Sequence, residues 1–100
     1  MKLSVLICTK NEEDFIELCL DHLIPHVDEI IIVDNGSTDR TKEIASKYDT
    51  VKIFDYPETI NMAEVRNFSL SKATGDWFLQ CDADEIYPAS EMRKIREFIE

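Results

Sequence analysis

Hydrophobic positions along the chain switch between two periods. Short runs rich in β-branched and aromatic residues, Lys2–Cys8, Glu29–Asp34, Val51–Phe54 and Asp76–Cys81, predict strands, and the stretches between them follow a helical repeat. That alternation predicts an α/β domain with a parallel sheet, since parallel strands need a long crossover, usually helical, between them. The first helix is expected from about Glu12 to Ile24, with Phe15, Cys19 and Leu23 at four-residue spacing, Leu18 beside them and Pro25 as the stop. A short second helix is expected from roughly Thr38 to Tyr48. Asn61-Met62-Ala63-Glu64 has the form of a capping box opening a third helix that ends near Ala73, after which Gly75 is able to take a left-handed turn into the fourth strand. Pro88 and Ser90 open a fourth helix, and Ile95, Phe98 and Ile99 keep its spacing up to Glu100.

Right-handed crossovers through the first three strands, followed by a return to the other side of the first, give the strand order 3-2-1-4. Such a sheet has its switch point between strands one and four, and ligands bind there beyond the carboxyl ends of the strands. Three polar clusters then meet: Thr9-Lys10-Asn11-Glu12, Asp34-Asn35-Gly36-Ser37-Thr38-Asp39 and Asp82-Ala83-Asp84-Glu85. The amino ends carry no comparable set of carboxylates and hydroxyls, and this asymmetry points to a site.

Each cluster has its own chemistry. Trp77–Cys81 runs straight into three carboxylates, which repel one another unless a cation sits among them, so a divalent-metal site is expected at the rim. Asp-x-Asp recurs by chance in so acidic a chain, and its weight comes from its position. Asp34 ends the apolar run Ile30–Val33 and requires hydrogen-bond donors, as a nucleobase imide or ribose hydroxyl would supply. The segment Asn35–Asp39 equally suits a turn followed by a helix cap. Arg66 has Met62, Ala63, Ser69 and Leu70 as helical neighbours and no acid among them, so it is expected to reach into the crevice. His22 and His26 are expected at the surface or at a cap, without chemistry.

Composition narrows the picture. At 100 residues and 44% hydrophobic content, one domain with a modest core is expected. Eleven Lys and Arg against 21 Asp and Glu give a formal charge of -10, a field that disfavours nucleic acid and anionic membranes. An anionic ligand would need a metal bridge. The apolar start Leu3–Cys8 is too short to span a membrane and lacks a signal-peptide pattern, so a cytoplasmic location is expected. Cys8, Cys19 and Cys81 are odd in number and lack CxxC spacing, which suits buried thiols in a reducing compartment. Gly36 and Gly75 are the only glycines, which excludes GxGxxG dinucleotide binding and a P-loop and disfavours a nucleotidyltransferase with a glycine-rich phosphate loop. A Mg²⁺-binding receiver domain, the non-enzymatic alternative, needs carboxylates just after the first strand, where this chain reads Cys8-Thr9-Lys10.

In order and at these spacings, Leu6-Ile7-Cys8-Thr9-Lys10-Asn11-Glu12, Ile32-Val33-Asp34-Asn35-Gly36-Ser37-Thr38-Asp39, Arg66-Asn67, and Gly75-Asp76-Trp77 followed by Asp82-Ala83-Asp84-Glu85 resemble the family 2 glycosyltransferases over nearly the whole chain. The resemblance implies the glycosyltransferase A fold, a Rossmann-like parallel sheet with flanking helices, holding a nucleoside diphosphate sugar through Mg²⁺ or Mn²⁺. A UDP-sugar is the commonest donor of such a family, and a glycan or lipid-linked molecule the commonest acceptor. By the same resemblance Thr9, Glu12 and Asp34 line the base and ribose pocket with Arg66 beside it, and Asn11 and Ser37 belong to the same nucleotide-sugar site. Asp82 faces the ribose or sugar, and Asp84 binds the metal. Family members are longer, and their second half supplies the acceptor surface and catalytic base. Residues 1–100 are therefore expected to be the donor-binding half of a truncated domain, a fragment without a catalytic base, since Glu85 lies too close to the metal ligand. An exposed sheet edge and self-association are expected with it.

Overall fold

The computed structural model describes all 100 residues. Four parallel strands, β1 (Leu3–Thr9), β2 (Glu29–Asp34), β3 (Val51–Asp55) and β4 (Trp77–Asp82), form one sheet in the order β3-β2-β1-β4, as expected. Four helices join them: α1 (Ile16–Leu23), α2 (Thr41–Ala45), α3 (Met62–Lys72) and α4 (Ala89–Ile99). Every residue of β2 is buried, and β1 is buried but for a half-exposed Cys8, because both central strands are covered on both faces. Leu3, Val5 and Ile7 meet Ile16, Cys19, Leu20 and Leu23 of α1 and Met92 and Ile99 of α4 in the larger core. Leu6, Ile31 and Val33 point the other way and pack with Val65 of α3, where Phe54, Tyr56 and Phe68 complete a smaller aromatic cluster. Alternation along the strands thus divides the apolar residues between two layers.

Several local expectations change. The helix α1 begins only at Ile16, because Phe15 and Ile16 donate their amides to the Glu12 carbonyl in a preceding turn, and Pro25 is accommodated in a single 3-10 turn, Ile24–His26. Its buried stripe is Ile16, Cys19, Leu20 and Leu23, while Phe15 and Leu18 are about half exposed. The helix α2 starts at Thr41 because the Asp39 carboxylate accepts the Thr41 amide at 2.9 Å and leaves Thr38–Arg40 outside. Only half of the box at α3 forms. The Asn61 side chain accepts the Glu64 amide at 3.2 Å, but the Glu64 carboxylate bonds the Tyr56 hydroxyl instead of returning.

Gly75 differs most. Its φ is not positive, unlike that of Gly36 at 97°. A Cβ on Gly75 would lie 2.4 Å from Ser4 Oγ and 2.9 Å from the Lys2 carbonyl, so a glycine is required by close approach and not by a left-handed turn. Its amide donates to Ser4 Oγ at 2.9 Å. Gly75→Ala is therefore expected to push the entry of β4 away from β1 and to destabilise by roughly 1–3 kcal/mol. A thermal melt should show a fall of about 5–15 °C; an unchanged melting temperature would refute the steric account.

Beneath that turn lies a carboxylate that sequence reasoning left as an ordinary strand residue. Glu29 is buried and accepts from Ser4 Oγ (2.8 Å), the Thr74 amide (2.8 Å), Thr74 Oγ1 (2.9 Å) and Lys52 Nζ (3.0 Å), with Lys2 Nζ at 3.8 Å. Nearby, Arg96 of α4 reaches Asp28 at 2.9 Å, and Asp28 accepts the Leu3 amide. These ties lie at the amino ends of the strands and join β1, β2, β3, α4 and the approach to β4. The expected exposed edge is present on β4, where Trp77 and Phe78 are 40% and 48% exposed and Trp77 meets Phe98 edge-on at 5.7 Å. No helix is long and apolar enough to cross a membrane.

Candidate functional site

The four strands end on one side of the molecule, and the register sets their last residues level. Thr9 of β1 stands beside Asp34 of β2, and Cys8 beside Asp82 of β4. Polar residues at these ends form one connected system. Asp34 is buried and accepts from Thr9 Oγ1 (2.8 Å), Ser37 Oγ (2.6 Å) and the Ser37 amide (2.9 Å). The protein itself thus supplies the donors that its position demands. Ser37 Oγ in turn accepts the Asn11 amide, and Asn11, in the left-handed region at φ 55°, accepts the Thr38 amide at 2.8 Å. Asparagine tolerates that backbone better than most side chains. The Glu12 amide donates to Thr41 Oγ1 at 2.8 Å, so the loops after β1 and β2 are laced together along their length.

A hollow of about 460 Å³ opens above these ends. Cys8 and Thr9 at the end of β1 and Lys10 and Glu12 beyond it line the hollow, with Asn35 just after β2, Glu58, Thr59 and Ile60 from the segment between β3 and α3, and Met62 at the start of α3. Of the residues predicted from sequence, Thr9 and Glu12 line the hollow itself. Asn11, Asp34 and Ser37 form the bonded layer around its floor. The segment 56–61 is a wall that sequence reasoning missed. Its signal was available, since it too follows the carboxyl end of a strand in a parallel sheet. Lys10 and Glu58 form an ion pair between the two walls.

On the β4 side, Asp82, Asp84 and Glu85 are exposed. They do not converge as a preformed cage, and no three acidic, histidine or cysteine side chains in the molecule gather closely enough to hold a metal alone. Glu85 folds back to accept the Asp82 amide at 2.9 Å, so its carboxylate is committed to its own turn. Burial and the neighbouring Asp84, Asp39 and Asp82 carboxylates push Glu12 above the usual carboxylate range. Negative charge therefore accumulates where the loops after β1, β2 and β4 approach one another. Burial also pushes the Cys8 thiol up, against the lowering influence of Arg66 and with that of Asp82. Arg66 is exposed, outside the residues lining the hollow and free of any ion pair, and its charge is felt by Cys8 near the end of β1.

A Rossmann-like sheet with its acidic, hydroxyl-rich hollow at the carboxyl ends of the strands defines a ligand-binding α/β domain. Residues 4–100 match the model of Glycosyl transferase family 2, and the chain belongs to that family. It is 38% identical over 84 residues to an uncharacterized glycosyltransferase of Rickettsia typhi, an alignment covering 84% of this chain and 28% of that protein. Among solved structures it is similar to Staphylococcus aureus TarS residues 1–349, with TM-score 0.87 and 28% identity over 99% of this chain and 32% of that one. It is also similar to glucosyl-3-phosphoglycerate synthase of Mycobacterium tuberculosis in complex with Mn²⁺ and UDP-glucose, with TM-score 0.73 and 30% identity over 85% of this chain and 34% of that one. The fold is thus the glycosyltransferase A fold. The chain spans from 21% to 42% of the length of the curated relatives it matches.

Proposed function

We propose that this chain holds the donor of a glycosyl transfer, a nucleoside diphosphate sugar, with a divalent cation at the acidic end of its hollow. The observation that carries this reading is the junction of the bonded Thr9–Asp34–Ser37 floor with the carboxylates of Glu12, Asp82 and Asp84 at one end of the sheet. Base and ribose fit the side formed by Thr9, Asn11, Glu12 and Ser37, with Asp34 acting through Thr9 and Ser37. Arg66 and Asp82 lie towards the diphosphate and sugar. The M. tuberculosis synthase forms complexes with UDP and either Mn²⁺ or Mg²⁺, which favours a UDP-sugar here.

The residues present fit such a cation in a particular way. One or two exposed carboxylates without a closed cage would suit Mg²⁺ or Mn²⁺, hard cations that take oxygen ligands and need few protein groups beside a phosphate-bearing ligand. Asp84 would hold it, with the exposed Asp82 two residues earlier. The cation supplies Lewis-acid neutralisation of the charge that builds on the departing diphosphate. The chain's own residues bind and orient the nucleotide and, at Glu12, Asp82 and Asp84, repel an anion that arrives without a cation. An acceptor hydroxyl must lose a proton as it attacks the anomeric carbon, and Glu85, whose carboxylate accepts the Asp82 amide, is not the base that takes it. The acceptor of the transfer is proposed to be a glycan or lipid-linked molecule. The three free thiols suit a reducing, cytoplasmic setting, and the open β4 edge is the surface for self-association.

A thermal-shift panel of nucleoside diphosphates, each with Mn²⁺, Mg²⁺ or chelator, tests the reading. UDP with Mn²⁺ at about 100 times its Kd is expected to add about 2.7 kcal/mol, a rise on the order of 10 °C. No shift with any nucleotide and either metal would sink it.

A further inference from the structure

We infer that Asn35 is a positioning residue for the nucleoside part of the donor, acting by fixing the segment between β3 and α3 as a wall of the hollow. The inference rests on the donor reading above and deepens it. Asn35 is 6% exposed, and both ends of its carboxamide are engaged: Nδ2 donates to the Thr59 carbonyl at 3.0 Å, and Oδ1 accepts the Thr59 amide at 3.2 Å. A carboxamide is the side chain that matches both groups of one residue's backbone at once. Two further contacts lay the same segment on the end of β2. The Tyr56 amide donates to the Asp34 carbonyl at 2.9 Å, and Glu58 Cβ lies 3.5 Å from where a Cβ on Gly36 would stand.

Beyond the exposed Lys10–Glu58 ion pair, worth little in water, the segment has little else to hold it. Pro57, Glu58, Ile60 and Asn61 are exposed, and Ile60 is fully so although it lines the hollow. With no buried apolar anchor between Tyr56 and Val65, its position depends on the polar clamp. The clamp also acts on one half of the ligand. Asn35, with Thr59 bonded to it, follows β2, whereas Asp82 ends β4 at the sheet edge beyond β1 and Asp84 follows it. Two inter-strand spacings, roughly 10 Å, separate β2 from β4. An occupant whose diphosphate lies near Asp84 therefore presents its base to Thr59 and the exposed Ile60 side chain, an apolar surface suited to a ring face.

Asn35→Ala removes both bonds. Asn35→Asp keeps the shape and the acceptor but sets an anionic oxygen against the Thr59 carbonyl. Hydrogen exchange over residues 56–62 is expected to accelerate about tenfold or more in Asn35→Ala, with protection of β1 and β2 unchanged. Calorimetry should show both variants binding UDP with Mn²⁺ about tenfold more weakly, while pyrophosphate with Mn²⁺ changes less than twofold. A merely structural loss would weaken both ligands together. Unchanged exchange in Asn35→Ala overturns the clamp. Equal weakening of UDP and pyrophosphate, or none of either, overturns its role towards the nucleoside. Failure of the unmodified chain to bind UDP overturns the donor reading and the wall's role with it, and the exchange experiment still reports separately on the clamp.

Discussion

Asp84→Ala is expected to remove the Mn²⁺-dependent part of UDP binding, raising Kd by on the order of 100-fold, while the melting temperature stays within about 2 °C. Asp84 is exposed and takes part in none of the ion pairs, so its carboxylate supports no neighbouring structure. Its influence runs the other way, since with Asp39 and Asp82 it raises the cost of ionising Glu12. Repulsion without structural support is what the proposed role of Asp84 as a cation ligand would account for. Calorimetry of both proteins with UDP in Mn²⁺ and again in chelator checks the claim. The two should differ in Mn²⁺ and coincide in chelator; equal affinity in Mn²⁺ would refute the ligand assignment.

Glu29→Ala should produce the largest loss of stability, about 3–5 kcal/mol, because it empties a buried position and removes the acceptor that Ser4, Thr74 and Lys52 share, leaving the buried Ser4 hydroxyl without its partner. Burial alone would raise this carboxyl, yet the bonds from the Thr74 amide, Lys52, Ser4 and the Thr74 hydroxyl together bring it down from 4.5 to about 2. A group depressed in the folded state stabilises it above the unfolded value and loses that contribution as pH falls through the folded one. Its share, on the order of 3 kcal/mol, is therefore intact above about pH 4.5 and lost as pH falls towards 2. Circular-dichroism melts of the parent and of Glu29→Gln across pH 7 to 2.5 separate the effect from that of the other carboxylates. The gap between the two melting temperatures should close as the solution is acidified. A gap independent of pH would show that Glu29 contributes by packing and not by charge.

How far the chain could be understood before its folding was seen varies by element, for physical reasons. β2 was legible to the residue, because a strand covered on both faces leaves an uninterrupted apolar run bounded by acids. The buried stripe of α1 was not, since Phe15-Cys19-Leu23 and Ile16-Cys19-Leu20-Leu23 both satisfy a helical repeat. The turn Glu12–Phe15 and the packing against β1 choose the second. The length of α2 depended on Asp39 spending its carboxylate on Thr41 and not at a ligand. Gly75 illustrates a limit of another kind: the clash that demands glycine is with Ser4, 71 residues earlier, and no local pattern records it.

The site was half legible. The three loops carrying Thr9, Asp34 and Asp82 end level because parallel register makes them do so, and that followed from topology alone. Which atoms satisfy Asp34 did not follow, because Thr9 and Ser37 take the place that ligand groups were expected to fill. The wall at 56–61 was legible from its place after β3, but its tie to Asn35 was not, because that tie uses backbone groups of Thr59, to which the side-chain identity gives no clue.

The separation of Glu29 and Gly75 at one end of the strands from Thr9, Asn35 and Asp84 at the other makes the two ends independent targets for engineering. Six residues of strand hold them roughly 20 Å apart, and changes at that distance without shared partners add. A library that randomises the rim can thus inherit a sturdier scaffold from substitutions at the opposite pole, and altered donor preference need not come at the expense of a folded chain.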